Sequence, residues 1–212
     1  MKKKRKEKLS LTAKITVGSL TGLLAIGIFY FLAIAFGRKN NLPVLGGPDH
    51  HAGSFSFTNQ DGETITEKNV QNKVTVAEYF FTTCPGICPK MNKNLQQVYE
   101  KFGSNPGFMI LSHTVDPGRD SVPVLKAYAS LLDACTPGWQ FLTGDKNALY
   151  ETATRDYLLA AADSGHTQFV YTQYVALLDK ERRIRGFYDM TSTDNVLKLN
   201  SDIEQLLKED SN

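Results

Sequence analysis

Residues 74–102 read VTVAEYFFTTCPGICPKMNKNLQQVYEKF, and this stretch decides the fold. Its first part, Val74 to Phe81, is rich in β-branched and aromatic residues, which is typical of one buried strand. Its second part carries apolar residues at helical intervals and is followed by Gly103, a helix stop (Ile87, Met91, Leu95, Val98 and Phe102). The sequence therefore predicts a buried strand that leads into a helix, with Cys84 and Cys88 at the helix N-terminus.

Strand and helix patterns alternate along the rest of the chain. The predicted elements are a β-hairpin over 53–66, a strand over 108–111, a helix over 122–132, a strand over 139–142, a helix from Asp145 to about Ala161, a hairpin of 167–178 and 183–188, and a last helix near 196–207. Strands that alternate with helices indicate an α/β sandwich with a mixed central sheet. At 212 residues the chain has room for one such soluble domain.

The N-terminal region predicts a membrane anchor. Residues 1–14 form a tail with seven basic residues and one acid, and residues 15–36 contain no charge. An apolar helix of that length spans about 30 Å of hydrocarbon, and the side with more basic residues stays in the cytoplasm. We therefore expect a single-pass protein with a cytoplasmic N-terminus and an extracytoplasmic domain. A cleaved signal peptide ending at Ala33-Ile34-Ala35 is the alternative, but such peptides have shorter apolar segments.

Two further boundaries follow from composition. Residues 37–52 are rich in Gly, Pro and Asn and lack periodicity, which predicts a linker before a folded domain of residues 53–212. The net charge of the whole chain is +2, so without the basic tail the chain is net acidic. This charge distribution gives no support to nucleic-acid binding.

The spacing of Cys84 and Cys88 suits redox or metal chemistry. Residues i and i+4 lie on one face of a helical turn, so two thiolates there can converge on one ion or close a disulfide after a small adjustment. The positive end of the helix dipole favours thiolate over thiol. Position alone leaves both chemistries open.

A third ligand would distinguish a copper site from a purely redox-active cysteine pair. Two thiolates select a soft ion such as Cu(I), and one imidazole would complete a site that accepts Cu(I) or Cu(II). His166, at the mouth of the 167–178 strand, is the candidate donor. Structural zinc is disfavoured because such sites use four protein ligands.

Four motifs together resemble the Sco/SenC family of copper-delivery proteins. They are Thr83-Cys84-Pro85-Gly86-Ile87-Cys88-Pro89, Asp116-Pro117-Gly118-Arg119-Asp120, Trp139-Gln140-Phe141-Leu142-Thr143-Gly144 and the late His166. The resemblance covers about residues 53–208. It implies a thioredoxin-like sandwich with an N-terminal β-hairpin, copper ligated by Cys84, Cys88 and His166, and a respiratory oxidase copper site as the partner.

A thiol–disulfide oxidoreductase with Cys84 and Cys88 as its redox pair is the competing hypothesis, and a copper or redox sensor is a third. Three residues between the cysteines and a distant histidine favour copper delivery over reduction, because thioredoxin-type motifs have two intervening residues. Enzymatic activity is thus left open. For the remaining candidates we expect no role in the copper site. His50 and His51 should be solvated in the linker, His113 should lie at the end of a core strand, and Cys135 should be a partly buried thiol. Asp116, Arg119 and Asp120 should brace a loop through an internal ion pair.

Overall fold

The computed structural model describes residues 26–30, 41–159 and 173–209. Residues 1–41 form one unit, in which 26–30 are helical, and residues 42–212 form a second unit. Most of the predicted anchor over 15–36 lies outside the described residues. Among those that are described, no helix combines the length and the apolar character that crossing a membrane requires.

One mixed sheet of seven strands organises the described part of residues 42–212. The strands are β1 (Ser56–Asn59), β2 (Thr64–Thr66), β3 (Val74–Phe80), β4 (Phe108–Thr114), β5 (Trp139–Thr143), β6 (Tyr174–Leu178) and β7 (Ile184–Asp189), in the order β2-β1-β5-β4-β3-β6-β7. The β3–β4 and β4–β5 pairs are parallel, and the other pairs are antiparallel. Both predicted hairpins, β1–β2 and β6–β7, are confirmed.

Helices cover both faces of this sheet. They are α1 (Cys88–Phe102), α2 (Val122–Leu131), α3 (Lys146–Glu151) and α4 (Thr193–Lys208), together with a 3₁₀ turn (Glu67–Val70) and a π-helical turn that continues α3 (Thr152–Asp156). Buried residues of α1, α2 and α4 pack on one face around Trp139 and Phe80. On the opposite face, α3 and its π-helical extension pack with the N-terminal hairpin and His113. The predicted α/β sandwich is confirmed.

Strand β3 is buried along its whole length, as is its neighbour β4. A strand with neighbours on both sides and helices on both faces must be apolar on both faces, which is what the run from Val74 to Phe81 predicted. Two elements differ from expectation: β4 continues to Thr114 rather than ending at 111, and the helix after Asp145 leaves helical geometry after Asp156 rather than near 161. The prediction ended β4 too early because its last three residues, Ser112 to Thr114, are polar and interrupt the apolar run.

The linker predicted over 37–52 is not a free tether where it is described. From residue 42 onward it lies against the domain: Leu45 N donates to Ile184 O at 2.8 Å, and Ala52 N donates to Arg182 O at 3.0 Å. Strand β7 is the edge of the sheet, so its backbone has groups available for a further segment. The folded unit therefore begins near residue 42 instead of 53.

A buried arginine secures this segment. Arg185 is 5% exposed and donates to Leu42 O at 2.7 Å and to Pro43 O at 3.2 Å. The same guanidinium pairs with Asp179 at 3.0 Å and with Glu209, after the end of α4, at 3.2 Å. One side chain thus links the N-terminal segment, the β6–β7 turn and the C-terminal helix.

Replacement of Arg185 should destabilise the domain. Arg185→Ala removes one of the two arginines paired with the buried Asp179, the other being Arg183 at 2.9 Å, and it also removes the donors to Leu42 O and Pro43 O. The free energy of unfolding should therefore fall by about 2–3 kcal/mol, measured by urea denaturation. Lys101→Ala, which removes a half-exposed ion pair to Glu204, is the matched control and should change stability much less. Equal losses in the two variants would contradict the anchoring role of Arg185.

Candidate metal centre

The two cysteines of the predicted pair lie at the start of α1. Cys88 is the first residue of the helix and is 1% exposed, and Cys84 lies in the preceding turn and is half-buried. Both pack against the core on the α1 face of the sheet. Ile87 occupies the N-cap position and makes no side-chain cap, and Pro89 lies in the first turn. Backbone N–H groups in this turn are therefore without a side-chain cap and favour a thiolate or another anion.

The start of the cysteine turn is braced by Asp120. This buried carboxylate accepts hydrogen bonds from Thr82 N at 3.3 Å, from the Thr82 hydroxyl and from the Thr114 hydroxyl. It thereby joins the end of β4 to the residues that precede Cys84. Asp120 braces the loop as predicted, but it does so through threonine hydrogen bonds and not through the predicted internal ion pair. The Arg119–Asp116 pair, at 3.6 Å, is largely exposed.

A buried carboxylate lies in β3, six residues before Cys84. Glu78 is fully buried, faces Ser112 of β4 in register, and accepts a hydrogen bond from the Ser112 hydroxyl. Burial raises the pKa of Glu78 to about 7, and the hydrogen bond from Ser112 opposes the shift. Sequence reasoning missed this residue, although an acid inside an apolar strand was a visible signal.

Tyr128 of α2 lies within electrostatic reach of both cysteines. Its pKa is raised to about 12, mainly by burial, with smaller contributions from the negative charges of Glu78, Cys88 and Cys84, and is opposed by a hydrogen bond from Asn92. Asn92 Nδ2 donates to the Tyr128 hydroxyl at 2.6 Å. The environment of the pair therefore includes a tyrosine hydroxyl and a buried acid on the same face of the sheet.

The third predicted ligand, His166, lies outside the described residues, which stop at 159 and resume at 173. Within the described ranges, no three His, Cys, Asp or Glu side chains are grouped so that they could hold one metal ion. Cys84 and Cys88 supply two soft donors, which suit copper. A trigonal copper site requires at least one further ligand.

The other candidates have structural surroundings. His113 does not end its strand: it is buried within β4, its ring stacks on Tyr79 at 4.9 Å, and burial lowers its pKa to about 4, so it is neutral at physiological pH. His50 Nε2 donates to Asp156 O at 3.0 Å, and His51 Nδ1 donates to Glu181 O at 3.0 Å, so neither is simply solvated. Cys135 was expected to be partly buried and is exposed.

Residues 45–208 match the family model described as SCO1/SenC. The chain belongs to the SCO1/SenC family. A Sco relative from Bacillus subtilis, SCO1 protein homolog, is 27% identical over 173 residues, which cover 80% of this chain and 88% of that protein. The mixed sheet flanked by helices is accordingly the thioredoxin-like fold of this family.

Solved Sco structures are similar in fold. Arabidopsis thaliana ScoI with copper bound is 25% identical, with a TM-score of 0.57, over 73% of this chain and 98% of that one. BsSco, a member of the Sco family of cytochrome c oxidase assembly proteins in which a disulfide switch was identified, gives a TM-score of 0.66 at 23% identity, over 78% and 96%.

Removal of the Asp120 carboxylate should loosen the cysteine turn of this Sco/SenC chain. Asp120→Ala leaves the Thr82 and Thr114 hydroxyls without their acceptor, so we expect a loss of about 2 kcal/mol in the free energy of unfolding and faster amide exchange over 81–87. Hydrogen–deuterium exchange read by mass spectrometry measures the second effect. Asp116→Ala, on the same loop, is the control, and identical exchange in both variants would argue against the brace.

Proposed function

We propose that this chain binds copper through Cys84, Cys88 and His166 and delivers it to the copper site of a respiratory oxidase. The observation that carries the proposal is the pair of thiols at the N-terminus of α1, in a chain that belongs to the SCO1/SenC family. Family relatives have been solved with copper bound, among them Arabidopsis ScoI and yeast Sco1. Thiolates are soft ligands, and softness favours Cu(I) over magnesium or calcium.

The topology supports His166 as the third ligand. Strands β3 and β6 are antiparallel neighbours, so the start of β6 at Tyr174 lies at the same edge of the sheet as the end of β3, from which the cysteine turn begins. Gln173, the first described residue before β6, lies seven positions after His166 in the sequence. A segment of that length reaches up to about 23 Å when extended. This chain length and the shared edge of the sheet support the proposal that His166 is the third ligand.

A second candidate function is thiol–disulfide exchange, in which the chain reduces cysteines of the target copper site. Half-burial of Cys84 favours it, because a mixed disulfide requires one sulfur that a partner can approach. The disulfide switch identified in BsSco points in the same direction for that relative. The two functions use the same cysteines and differ in their need for His166.

We also propose that residues 15–36 anchor the chain in a membrane with the copper-binding unit outside the cytoplasm, next to its oxidase partner. The support is the charge-free segment and the basic residues before it. A reporter that is active only outside the cytoplasm, fused after Asn212, should be active, and the chain should resist carbonate extraction. A shortened product released into the soluble fraction would show cleavage near Ala35 instead.

Loss of His166 should separate the two functions. The full-length reduced chain should bind one copper, and Cys84→Ser, Cys88→Ser and His166→Ala should each lose at least tenfold in copper affinity, because each removes a ligand. Only the cysteine variants should also lose reduction of a model disulfide. Competition with a chromogenic copper chelator and oxidase assembly in cells at limiting copper are the readouts.

Two matched substitutions control this experiment. Cys135→Ser removes an exposed thiol and His51→Ala removes an exposed imidazole, and both should retain copper binding and oxidase assembly. If His166→Ala assembles the oxidase normally at limiting copper while the cysteine variants fail, the reductase function replaces copper delivery. Unchanged copper affinity in His166→Ala would show that another residue is the third ligand.

A further inference from the structure

The chain contains a single tryptophan, Trp139, whose indole N–H is linked to a carboxylate through one hydroxyl. The indole Nε1 donates to Ser112 Oγ at 2.8 Å, and the Ser112 hydroxyl donates to Glu78 Oε1. All three side chains are buried. An indole nitrogen is a donor only and a carboxylate is an acceptor, so these bonds run in one direction, from Trp139 to Glu78. A proton that leaves the indole therefore has a continuous route to Glu78.

Glu78 is suited to accept such a proton. Its other carboxyl oxygen, Oε2, is buried and has no hydrogen-bond partner among the described residues. A buried carboxylate with few donors is a stronger base than one in water: burial raises the pKa of Glu78 to about 7, and the bond from Ser112 opposes the shift. Above that pH the ionised Glu78 is able to take the indole proton.

Tyr99 of α1 connects Trp139 to the surface. The centroids of the two rings are 5.5 Å apart. The Tyr99 hydroxyl donates to Cys135 O at 3.2 Å and accepts from Cys135 N at 3.1 Å, and Cys135 is exposed. Tyr99 is itself half-buried. Its apolar ring therefore contacts the core while its polar end lies at the surface.

Two glycines allow the rings of Tyr99 and Trp139 to approach each other. A Cβ atom on Gly138, the residue before Trp139, would lie 2.9 Å from Tyr99 Cε2, and a Cβ atom on Gly103 would overlap the same ring. A side chain at either position would force the ring or the adjoining backbone to shift. The contact between the two rings is thus defined by backbone on both sides of Tyr99.

Aromatic rings also connect Trp139 to the end of β3. Phe141 stacks on Trp139 with centroids 5.2 Å apart, and Phe80 meets Phe141 edge-on at 5.3 Å. Phe80 is the last residue of β3 and shares one buried cluster with Cys88. Within the described residues, the rings in contact with Trp139 are those of Phe141 and Tyr99. Of these two, only the phenol of Tyr99 is readily oxidised.

We propose that Trp139 and Tyr99 form an oxidation relay that carries a one-electron oxidation from the core cluster of Cys88 to the surface, with Glu78 as the proton acceptor. The oxidant is an oxygen-centred radical, the class that Cu(I) generates from hydrogen peroxide, and only this source rests on the proposed copper function. A relay that loses the electron in place of sulfur spares the thiols, whose oxidation beyond the sulfenic acid is irreversible.

The relay has two steps. In the first, the oxygen-centred radical takes one electron from Trp139 and becomes an anion. The indole N–H bond breaks, its proton moves to Ser112 Oγ, and the Ser112 hydroxyl proton forms an O–H bond on Glu78 Oε1. In the second, one electron passes from Tyr99 to the indolyl radical, Glu78 returns its proton along the same bonds, and the Tyr99 hydroxyl proton leaves to water. The product is a neutral tyrosyl radical, which a dissolved thiol reduces by transfer of one hydrogen atom.

Photooxidation of the single tryptophan tests the relay without copper. The full-length reduced chain in detergent, at a pH of about 8 and so above the pKa of Glu78, is excited at the red edge of the indole absorption, with a cobalt(III) ammine as irreversible electron acceptor. Transient absorption and electron paramagnetic resonance follow the radicals. In the wild type the neutral tryptophan radical should form first, and a tyrosyl radical should replace it. Tyr99→Phe should lose the tyrosyl signal and retain the tryptophan radical. Tyr174→Phe, which removes an exposed phenol from β6, is the control and should match the wild type.

Glu78→Gln tests the proton acceptor. An amide oxygen accepts the hydrogen bond from Ser112 but is too weak a base to take its proton. The tryptophan radical should therefore remain protonated, as a radical cation that absorbs at longer wavelength than the neutral radical. Glu100→Gln, which removes an exposed carboxylate from α1, should match the wild type. If Glu78→Gln does not fold, judged by its thermal unfolding, Ser112→Ala interrupts the same bonds and should give the same result.

The protective role is tested with copper bound. After hydrogen peroxide is added to the Cu(I)-loaded chain, mass spectrometry should find more irreversibly oxidised Cys84 and Cys88 in Tyr99→Phe than in the wild type. Tyr174→Phe should again match the wild type. Equal cysteine oxidation in Tyr99→Phe and the wild type would overturn the protective role.

Each outcome of the photooxidation decides one part of the relay. A wild-type chain that yields no tryptophan radical, or a tyrosyl radical at wild-type yield in Tyr99→Phe, would overturn the relay. Equal formation of the neutral tryptophan radical in the wild type and Glu78→Gln would overturn the role of Glu78. The photooxidation uses no copper, so a chain that fails to bind copper would lose the proposed function and leave these results unchanged.

Discussion

The burial of β3 at the centre of the sheet is the constraint on which the rest of the structure depends. Every residue of this strand is buried, β4 pairs with it in parallel and β6 pairs with it in antiparallel orientation. A central strand has a fixed direction and a fixed end, so the turn that follows Phe80 is held at one edge of the sheet. Cys84 and the start of α1 take their position from that edge, and α1 covers the face on which the cysteines lie.

Several polar groups are buried inside this core, and one of them, Asp120, is bonded to the start of the cysteine turn. Asp120 joins the turn to the end of β4, and Glu78, Ser112 and Trp139 form a hydrogen-bonded chain within the core. Burying a polar group costs free energy unless the group is paired, so an apolar core would avoid this desolvation cost. The buried imidazole of His113 lies on the opposite face of the sheet, among aromatic rings, and is neutral.

Strand β7 lies at the edge of the sheet, where backbone groups on one side have no neighbouring strand to pair with. Strand β7 has a neighbouring strand on one side, and residues 42–52 cover part of its other side through Leu45 and the guanidinium of Arg185. Covering an edge removes a surface that would otherwise pair with another chain. The ion pairs of Arg185 with Asp179 and Glu209 also fix the end of α4, so the edge and the C-terminal helix are stabilised together.

The sequence by itself determined the secondary structure around the cysteines, the α/β class and the family. These properties depend on local periodicity and on short motifs: the run from Val74 to Phe81, the helical spacing after Cys88 and the position of Gly103 are all readable within a few turns of chain. The same rules placed β4 too short, because Ser112 and His113 interrupt its apolar pattern although both are buried in the folded chain. They also predicted a linker over 37–52, since Gly and Pro indicate irregular backbone and do not show what that backbone contacts; residues 45 and 52 in fact bond to the β7 edge of the domain.

Only the tertiary structure decided which distant groups meet. Glu78, Asn92 and Tyr128 are separated by up to 50 positions in sequence and share one buried environment, and Arg185 contacts residues more than 140 positions earlier. No local pattern encodes such pairs, because they follow from the order of strands in the sheet and from which face each side chain occupies. The ionisation of Glu78 is decided in the same way. A glutamate in an isolated strand is an ordinary acid, and the removal of water by helices and neighbouring strands makes it one that holds its proton near neutral pH.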